Sequence, residues 1–211
     1  MTTLVRDVMT RNVVSLRQQA EFKEIVRVLR ARQFSAFPVL AADDTVIGVV
    51  SEDDLLVREA YSEDSAPRFV LRHADRMKAA GLTAAELMTR PAITIGPAAT
   101  VAEAARIMHA RHVRRLPVVT AEGRLAGIVS RIDLLGVYDR PDTDIRQEVL
   151  DRIIDGEFML DKLAFAVTVG SGVVTIRGPV DRQTVALSLL DAIRHVDGVL
   201  AVRDRLHYPH T

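Results

Sequence analysis

The chain has no cysteine and no tryptophan, and aromatic residues make up only 4% of it. Without cysteine, disulfides, thiol nucleophiles and thiolate metal sites are all excluded. With so few rings, any core must be built mainly from Val, Leu, Ile and Ala. No apolar run reaches the ~18 residues that span a bilayer. Net charge is missing too, since 28 basic side chains are balanced by 28 acidic ones. Duplex nucleic acid is therefore not expected as the main partner, because such binding rests on neutralising many phosphates. The opening Met1-Thr-Thr-Leu-Val-Arg-Asp7 lacks the basic-then-apolar pattern of a secretory signal, so the cytoplasm is the expected address. What is present is ample apolar material, 48% of 211 residues, and a length that suggests one or two compact domains with room for a smaller third.

That material is organised by an internal repeat. Val8-Met9-Thr10-Arg11 returns as Leu87-Met88-Thr89-Arg90, and Phe37-Pro38-Val39 as Leu116-Pro117-Val118. Gly48-Val49-Val50-Ser51 returns as Gly127-Ile128-Val129-Ser130, and Asp54-Leu55-Leu56 as Asp133-Leu134-Leu135. All four matches share one offset of 79 residues, and about a third of the positions aligned over 7–56 are identical.

Each copy reads as strand, helix, strand, strand, helix. Phe22, Ile25, Val26 and Leu29 form one apolar helix face, answered in the second copy by Val101, Ala104, Ala105 and Met108. Thr100 and Glu103 have capping-box spacing. Two apolar runs, 37–40 and 46–50, flank the turn Ala41-Ala-Asp-Asp44, and the second copy turns at Ala121-Glu-Gly123. A further helix is expected after Ser51 and after Ser130. A unit of roughly 55 residues is too short to bury both its faces, so two copies must pack together. Between them, Arg68-Phe-Val-Leu-Arg-His-Ala-Asp-Arg-Met-Lys78 places Phe69, Arg72, His73 and Arg76 at helical spacing. This reads as a solvated linker helix, or as one lying on a membrane surface, although Glu63, Asp64 and Asp75 dilute its basic charge.

The Met-Thr-Arg openings, the SAFPV and RRLPV segments, and GVVSEDDLL with GIVSRIDLL resemble CBS domains, which occur as tandem pairs. The resemblance implies an α+β (mixed α/β) fold with CBS repeat 1 at 1–62, a linker helix at 63–81 and CBS repeat 2 at 82–140, the two repeats packed pseudo-symmetrically.

Asp139-Arg-Pro-Asp-Thr-Asp144 is a break. Beyond it, Ile145, Val149 and Ile153 step along a helix, and runs at 163–169 and 173–180 flank the hairpin signal Gly170-Ser-Gly172. Asp181 can cap a helix carrying Val185, Leu189 and Ile193; Gly198 stops it, and 199–206 reads as a last strand. This α-β-β-α-β order, with VVTIRGPV and HVDGVLAV, resembles the BON domain and places one at 143–211. The BON resemblance implies contact with phospholipid or another apolar partner. However, residues 142–211 carry 11 acidic against 8 basic side chains, which does not help binding to anionic lipid and leaves protein contact open.

The CBS resemblance also implies site residues. Asp54 and Asp133 stand where the family holds both ribose hydroxyls, a task suited to a carboxylate with two acceptor oxygens. Ser51 and Ser130 stand where ribose or phosphate is contacted; Ser-x-x-Asp is equally a helix-capping arrangement. Ser35, Ala36, Phe37 and Pro38, with Pro117 in the second copy, lie where adenine packs. Thr10 and Val13, with Thr89 and Ile93, lie on the entering strand that forms the other wall. Arg114 and Arg115 precede Leu116-Pro117 where phosphate-binding members carry basic residues, whereas the first copy has neutral Ser35-Ala36. Such arginines can reach the site centred on the other repeat, so one phosphate-competent site is expected; the alternative is solvated helix-end charge, shared with Arg111. His109 and His112 are three apart but lack acidic or thiolate neighbours, so no metal site is expected. His207 and His210 fall in the tail Leu206-His-Tyr-Pro-His-Thr211.

No nucleophile elbow, P-loop, metal cluster or dinucleotide fingerprint is present, so no catalytic residue or catalytic cofactor is expected. Two functions stand. One is a sensor binding AMP, ADP, ATP or S-adenosylmethionine between the CBS repeats and relaying that state to the BON-like domain or a partner. The other is a ligand-independent dimerisation scaffold whose BON-like domain contacts phospholipid or protein, the phospholipid branch placing it at a membrane periphery. Apolar excess on the helices at 22–29 and 101–108 points to a homodimer.

Overall fold

The computed structural model describes residues 3–32, 35–60 and 81–207. The expected linker helix at 63–81 falls almost wholly outside them, as does His210. The described residues form two compact units, Leu4–Arg131 and a second made of residues 132–207 together with Thr3.

In the first unit the repeat is visible at the level of hydrogen-bond register. Helix α2 (Phe22–Arg32) leads to strand β2 (Ala36–Leu40), which pairs antiparallel with β3 (Val46–Ser51) before α3 (Glu52–Ala60). The second copy gives α5 (Val101–Ala110), β4 (Arg115–Val119) and β5 (Leu125–Ser130), after which the chain leaves the unit along α6 (Arg131–Leu135). Val39 faces Gly48 just as Val118 faces Gly127, and each ladder shifts register at the next residue. The entering strand β1 (Leu16–Arg17) pairs parallel with β2, but in the second copy it shrinks to one bridge, Ile95 to Val118. The expected capping box is present: Thr100 Oγ1 accepts from the Glu103 N–H at 3.1 Å, and the Glu103 carboxylate accepts from the Thr100 N–H at 2.7 Å. The two short helical turns α1 (Val5–Val8) and α4 (Ala84–Leu87) were not legible from periodicity.

Those turns open arms that the two copies exchange. Val5 N–H donates to Ala99 O at 2.8 Å, and Ala84 N–H donates to Ala20 O at 2.9 Å. Thr10 bridges Ile128, while Thr89 bridges Val49. Every one of these contacts maps onto its counterpart by the 79-residue offset, and Thr45 bridges its own equivalent, Arg124, where the copies meet. The arms carry Met9 and Met88, which lie against the two repeat glycines. A Cβ on Gly127 would sit 2.6 Å from Met9 Sδ and 3.0 Å from the Thr10 carbonyl oxygen; on Gly48 it would collide with Met88 Sδ and lie 2.9 Å from its Cγ. The core under the first copy accordingly contains Ala84, Leu87 and Met88 beside Ile25, Leu29, Phe37, Val39 and Val50. Neither copy completes its own core, as a unit of roughly 55 residues is too short to do so.

The second unit has the element order α-β-β-α-β. Helix α7 (Asp142–Glu148) runs into a wider π-type stretch, Val149–Glu157. A straight α-helix with burial every fourth residue was expected. The wider ladder instead turns adjacent pairs inward, Val149 with Leu150 and Ile153 with Ile154, all buried. Glu148 accepts from Arg140 and Arg152, each at 2.8 Å; burial pushes its carboxyl up, but these bonds, together with the nearby positive charge, hold it below the usual range. The run from 163 does not start as strand: Asp161 accepts from the Leu163 N–H at 3.0 Å and holds a 3-10 turn, Lys162–Ala164. Strand β6 (Ala166–Gly170) and β7 (Val173–Pro179) then form a hairpin whose two turn residues, Ser171 and Gly172, have φ of +49° and +73°, the type I′ arrangement. The Asp142 carboxylate accepts from both turn N–H groups, at 2.7 and 2.9 Å. Helix α8 (Gln183–Arg194) begins after Arg182, whose side chain makes no capping bond, so Asp181 is not its cap. Strand β8 (Ala201–His207) lies parallel to β7, giving the order β6-β7-β8 over a core that includes Val174, Ile176, Leu189 and Ile193.

Among the described residues no helix is long and apolar enough to cross a membrane. The apolar faces of α2 and α5 are largely consumed internally, because Ile25, Leu29, Ala104 and Met108 are buried. The large exposed apolar side chains lie elsewhere, Leu56 on α3 and its repeat counterpart Leu135 on α6 among them.

Candidate ligand cleft

Both copies contribute to a cleft of about 180 Å³ in the Leu4–Arg131 unit. The first copy supplies Ser35 and Ala36 at the start of β2, Val49 and Ser51 from β3, and Glu52-Asp53-Asp54 at the head of α3. The second supplies Thr89 and Pro91-Ala92-Ile93 from its exchanged arm, and His112 to Arg115 leading into β4. The arm exchange is what brings them together, since the Thr89–Val49 bridge fastens the second copy's arm along β3.

Asp54 sits at the base of this arrangement, only 7% exposed. Its Oδ2 accepts from the Ser51 N–H and from the Ser51 hydroxyl, both at 2.7 Å, and its Oδ1 accepts from the Thr89 hydroxyl at 3.0 Å. The Ser-x-x-Asp segment is thus a cap in which the aspartate is the acceptor and the serine the donor, and Thr89 locks it to the other copy. An ionised carboxylate offers about four acceptor directions, so vicinal hydroxyls entering the cleft would share or displace these donors. Ile93, Val49, Ala36 and Pro91 give the cleft apolar walls. Arg114 and Arg115 bring planar guanidinium groups able to bind a phosphate through paired bonds.

Of the residues singled out from sequence, Ser35, Ala36, Ser51, Asp54, Thr89, Ile93, Arg114 and Arg115 line the cleft. The others do not. Phe37 is fully buried in the core, because successive strand residues face opposite sides and Ala36 takes the cleft side. Pro38 and Pro117 are buried within β2 and β4. Thr10 exchanges backbone bonds with Ile128, Val13 is half-buried, and Ser130 and Asp133 are half-buried at the end of β5 and the head of α6.

His112 was missed as a cleft residue. It follows α5 with φ of +54°, its N–H bonding the His109 carbonyl and the Val113 N–H bonding the Met108 carbonyl at 3.1 Å, a Schellman closure in which glycine is the usual occupant. A histidine there carries strain of roughly 1 kcal/mol. His112→Gly should therefore raise stability by about that amount, read as a higher Tm, while ligand affinity reports whether the imidazole contributes to the cleft. His109 is exposed, and among the described residues no group of three metal-capable side chains occurs.

The CBS domain family matches residues 5–60 and 84–140, more than half of the chain, and the chain belongs to that family. An uncharacterized protein of Methanocaldococcus jannaschii is 29% identical over 150 residues, covering 63% of this chain and 89% of its own length. Among solved structures, CBSX2 in complex with AMP is 28% identical with a TM-score of 0.57, covering 63% of this chain and 94% of that one. The CBS domain pair of MJ0100, in complex with 5′-methylthioadenosine and S-adenosyl-L-methionine, has a TM-score of 0.53 at 20% identity, a likeness of fold.

Proposed function

We propose that the chain is a non-catalytic sensor that binds an adenosine nucleotide in the cleft and relays its occupancy to the C-terminal unit or to a partner. The observation that carries this reading is the meeting of Asp54 from one copy with Arg114 and Arg115 from the other in a single apolar-walled cleft. Asp54 would take the ribose hydroxyls, the two arginines the phosphate, and Ala36 with Ile93 the base. The likeness to CBSX2, solved with AMP, supports the ligand class. The C-terminal unit is BON-like in this reading, supported by its α-β-β-α-β order and three-stranded sheet. Its acidic balance favours a protein contact over anionic lipid. Self-association as a homodimer through CBS helices, and a cytoplasmic address, belong to the same proposal.

One observation favours the second reading, a ligand-independent scaffold: Asp54 already accepts from Ser51 and Thr89, as a purely structural carboxylate would. Isothermal titration of the whole chain with AMP, ADP, ATP and S-adenosylmethionine separates the two. The sensor predicts saturable heat with at least one of them, and no heat at millimolar concentration from any of the four would leave only the scaffold.

A further inference from the structure

The cleft is asymmetric in charge as well as in composition. Besides Asp54, Glu52 and Asp53 at the head of α3 line it, both exposed, so three acidic residues of the first copy and two arginines of the second line one cleft. A helix head welcomes acidic residues for its own sake, but the fold does not demand them here. The counterparts of Glu52 and Asp53 by the repeat offset are Arg131 and Ile132, and α6 begins there all the same. Conversely, the counterparts of Arg114 and Arg115 are the neutral Ser35 and Ala36, which lie in the same cleft.

Resting on the nucleotide-sensor reading above, we infer that the cleft selects adenosine ligands with one phosphate and discriminates against the triphosphate, through Glu52 and Asp53. Two guanidinium groups suffice for one dianionic phosphate held by paired bonds. Each further phosphate adds negative charge without meeting another Arg or Lys among the cleft-lining residues, and it does so beside two carboxylates. Like charges placed together suppress a wrong partner more than opposite charges reward the right one. Because Glu52 and Asp53 are exposed, the discrimination is partly screened and falls as salt rises.

The test is isothermal titration of the full chain in EDTA at low salt with AMP and with ATP, repeated on the Glu52→Gln/Asp53→Asn double variant. The wild type is expected to bind AMP at least about tenfold tighter than ATP, and the double variant to bring the two within about threefold, chiefly by tightening ATP, with its Tm close to wild type. AMP and ATP binding equally well to the wild type, or a gap that survives the double substitution, overturns the inference and leaves the sensor standing. Absence of binding by either nucleotide overturns the sensor reading itself, and this inference with it.

Discussion

Gly127→Ala is expected to destabilise the chain by about 1–3 kcal/mol, although it adds a single methyl group. The new Cβ would lie 2.6 Å from Met9 Sδ and 3.0 Å from the Thr10 carbonyl oxygen, so either the arm lifts from β5 or the strand shifts. Lifting the arm also endangers the paired Thr10–Ile128 backbone bonds, both 2.9 Å. Gly48→Ala makes the equivalent collision with Met88, but there the atoms met are all side chain, the thioether sulfur first. Methionine is the most compliant of core residues, so Gly48→Ala should cost less than Gly127→Ala. The same reasoning predicts unequal rescue: Met88→Ala should recover most of the Gly48→Ala loss, whereas Met9→Ala should recover only part of the Gly127→Ala loss, because the Thr10 carbonyl remains. Denaturant midpoints of the four single and two double variants decide it. Equal losses with equal rescue would mean that the arms are loosely held and that the exchange contributes little.

Asp54→Ala is expected to weaken AMP binding at least about a hundredfold, since two charge-assisted bonds to the ribose hydroxyls contribute roughly 1.5–3 kcal/mol each. The same substitution removes the acceptor used by the Ser51 N–H, the Ser51 hydroxyl and the Thr89 hydroxyl, at a cost near 1 kcal/mol because Ser51 and Thr89 are not fully buried. Asp54→Asn separates the two roles. It keeps the shape and one acceptor oxygen, so Tm should move little while AMP affinity still falls steeply. If Asp54→Asn lost stability but kept its AMP affinity, the carboxylate would be structural only, as the scaffold reading requires.

Much of this fold is legible in the chain because its signals are local. The 79-residue offset announces two copies, Thr100 and Glu103 mark a helix start, and Gly170-Ser-Gly172 marks a tight hairpin, each resting on residues a few positions apart. The arm exchange is not legible, because Met9 meets Gly127 across more than a hundred residues and neither carries a pattern that names the other. The glycine in Gly48-Val-Val-Ser and the methionine in Met88-Thr-Arg look like separate motif letters, yet they are the two halves of one contact. Phe37 went to the core because strand alternation decides which of two neighbours faces the cleft, and the register of a five-residue strand is set by its partners. His112 was hidden for another reason. A left-handed residue after a helix is normally betrayed by glycine, and here the chain uses histidine.

The sensor reading requires that one cleft, completed by the exchanged arm, hold the nucleotide between a carboxylate of the first copy and the guanidinium groups of the second. A crystal structure of the chain grown with AMP tests this directly. The ribose hydroxyls are expected on Asp54, the phosphate between Arg114 and Arg115, and the base against Ala36 and Ile93. An ordered AMP bound elsewhere, with this cleft closed over the Asp54–Thr89 contact, would contradict it.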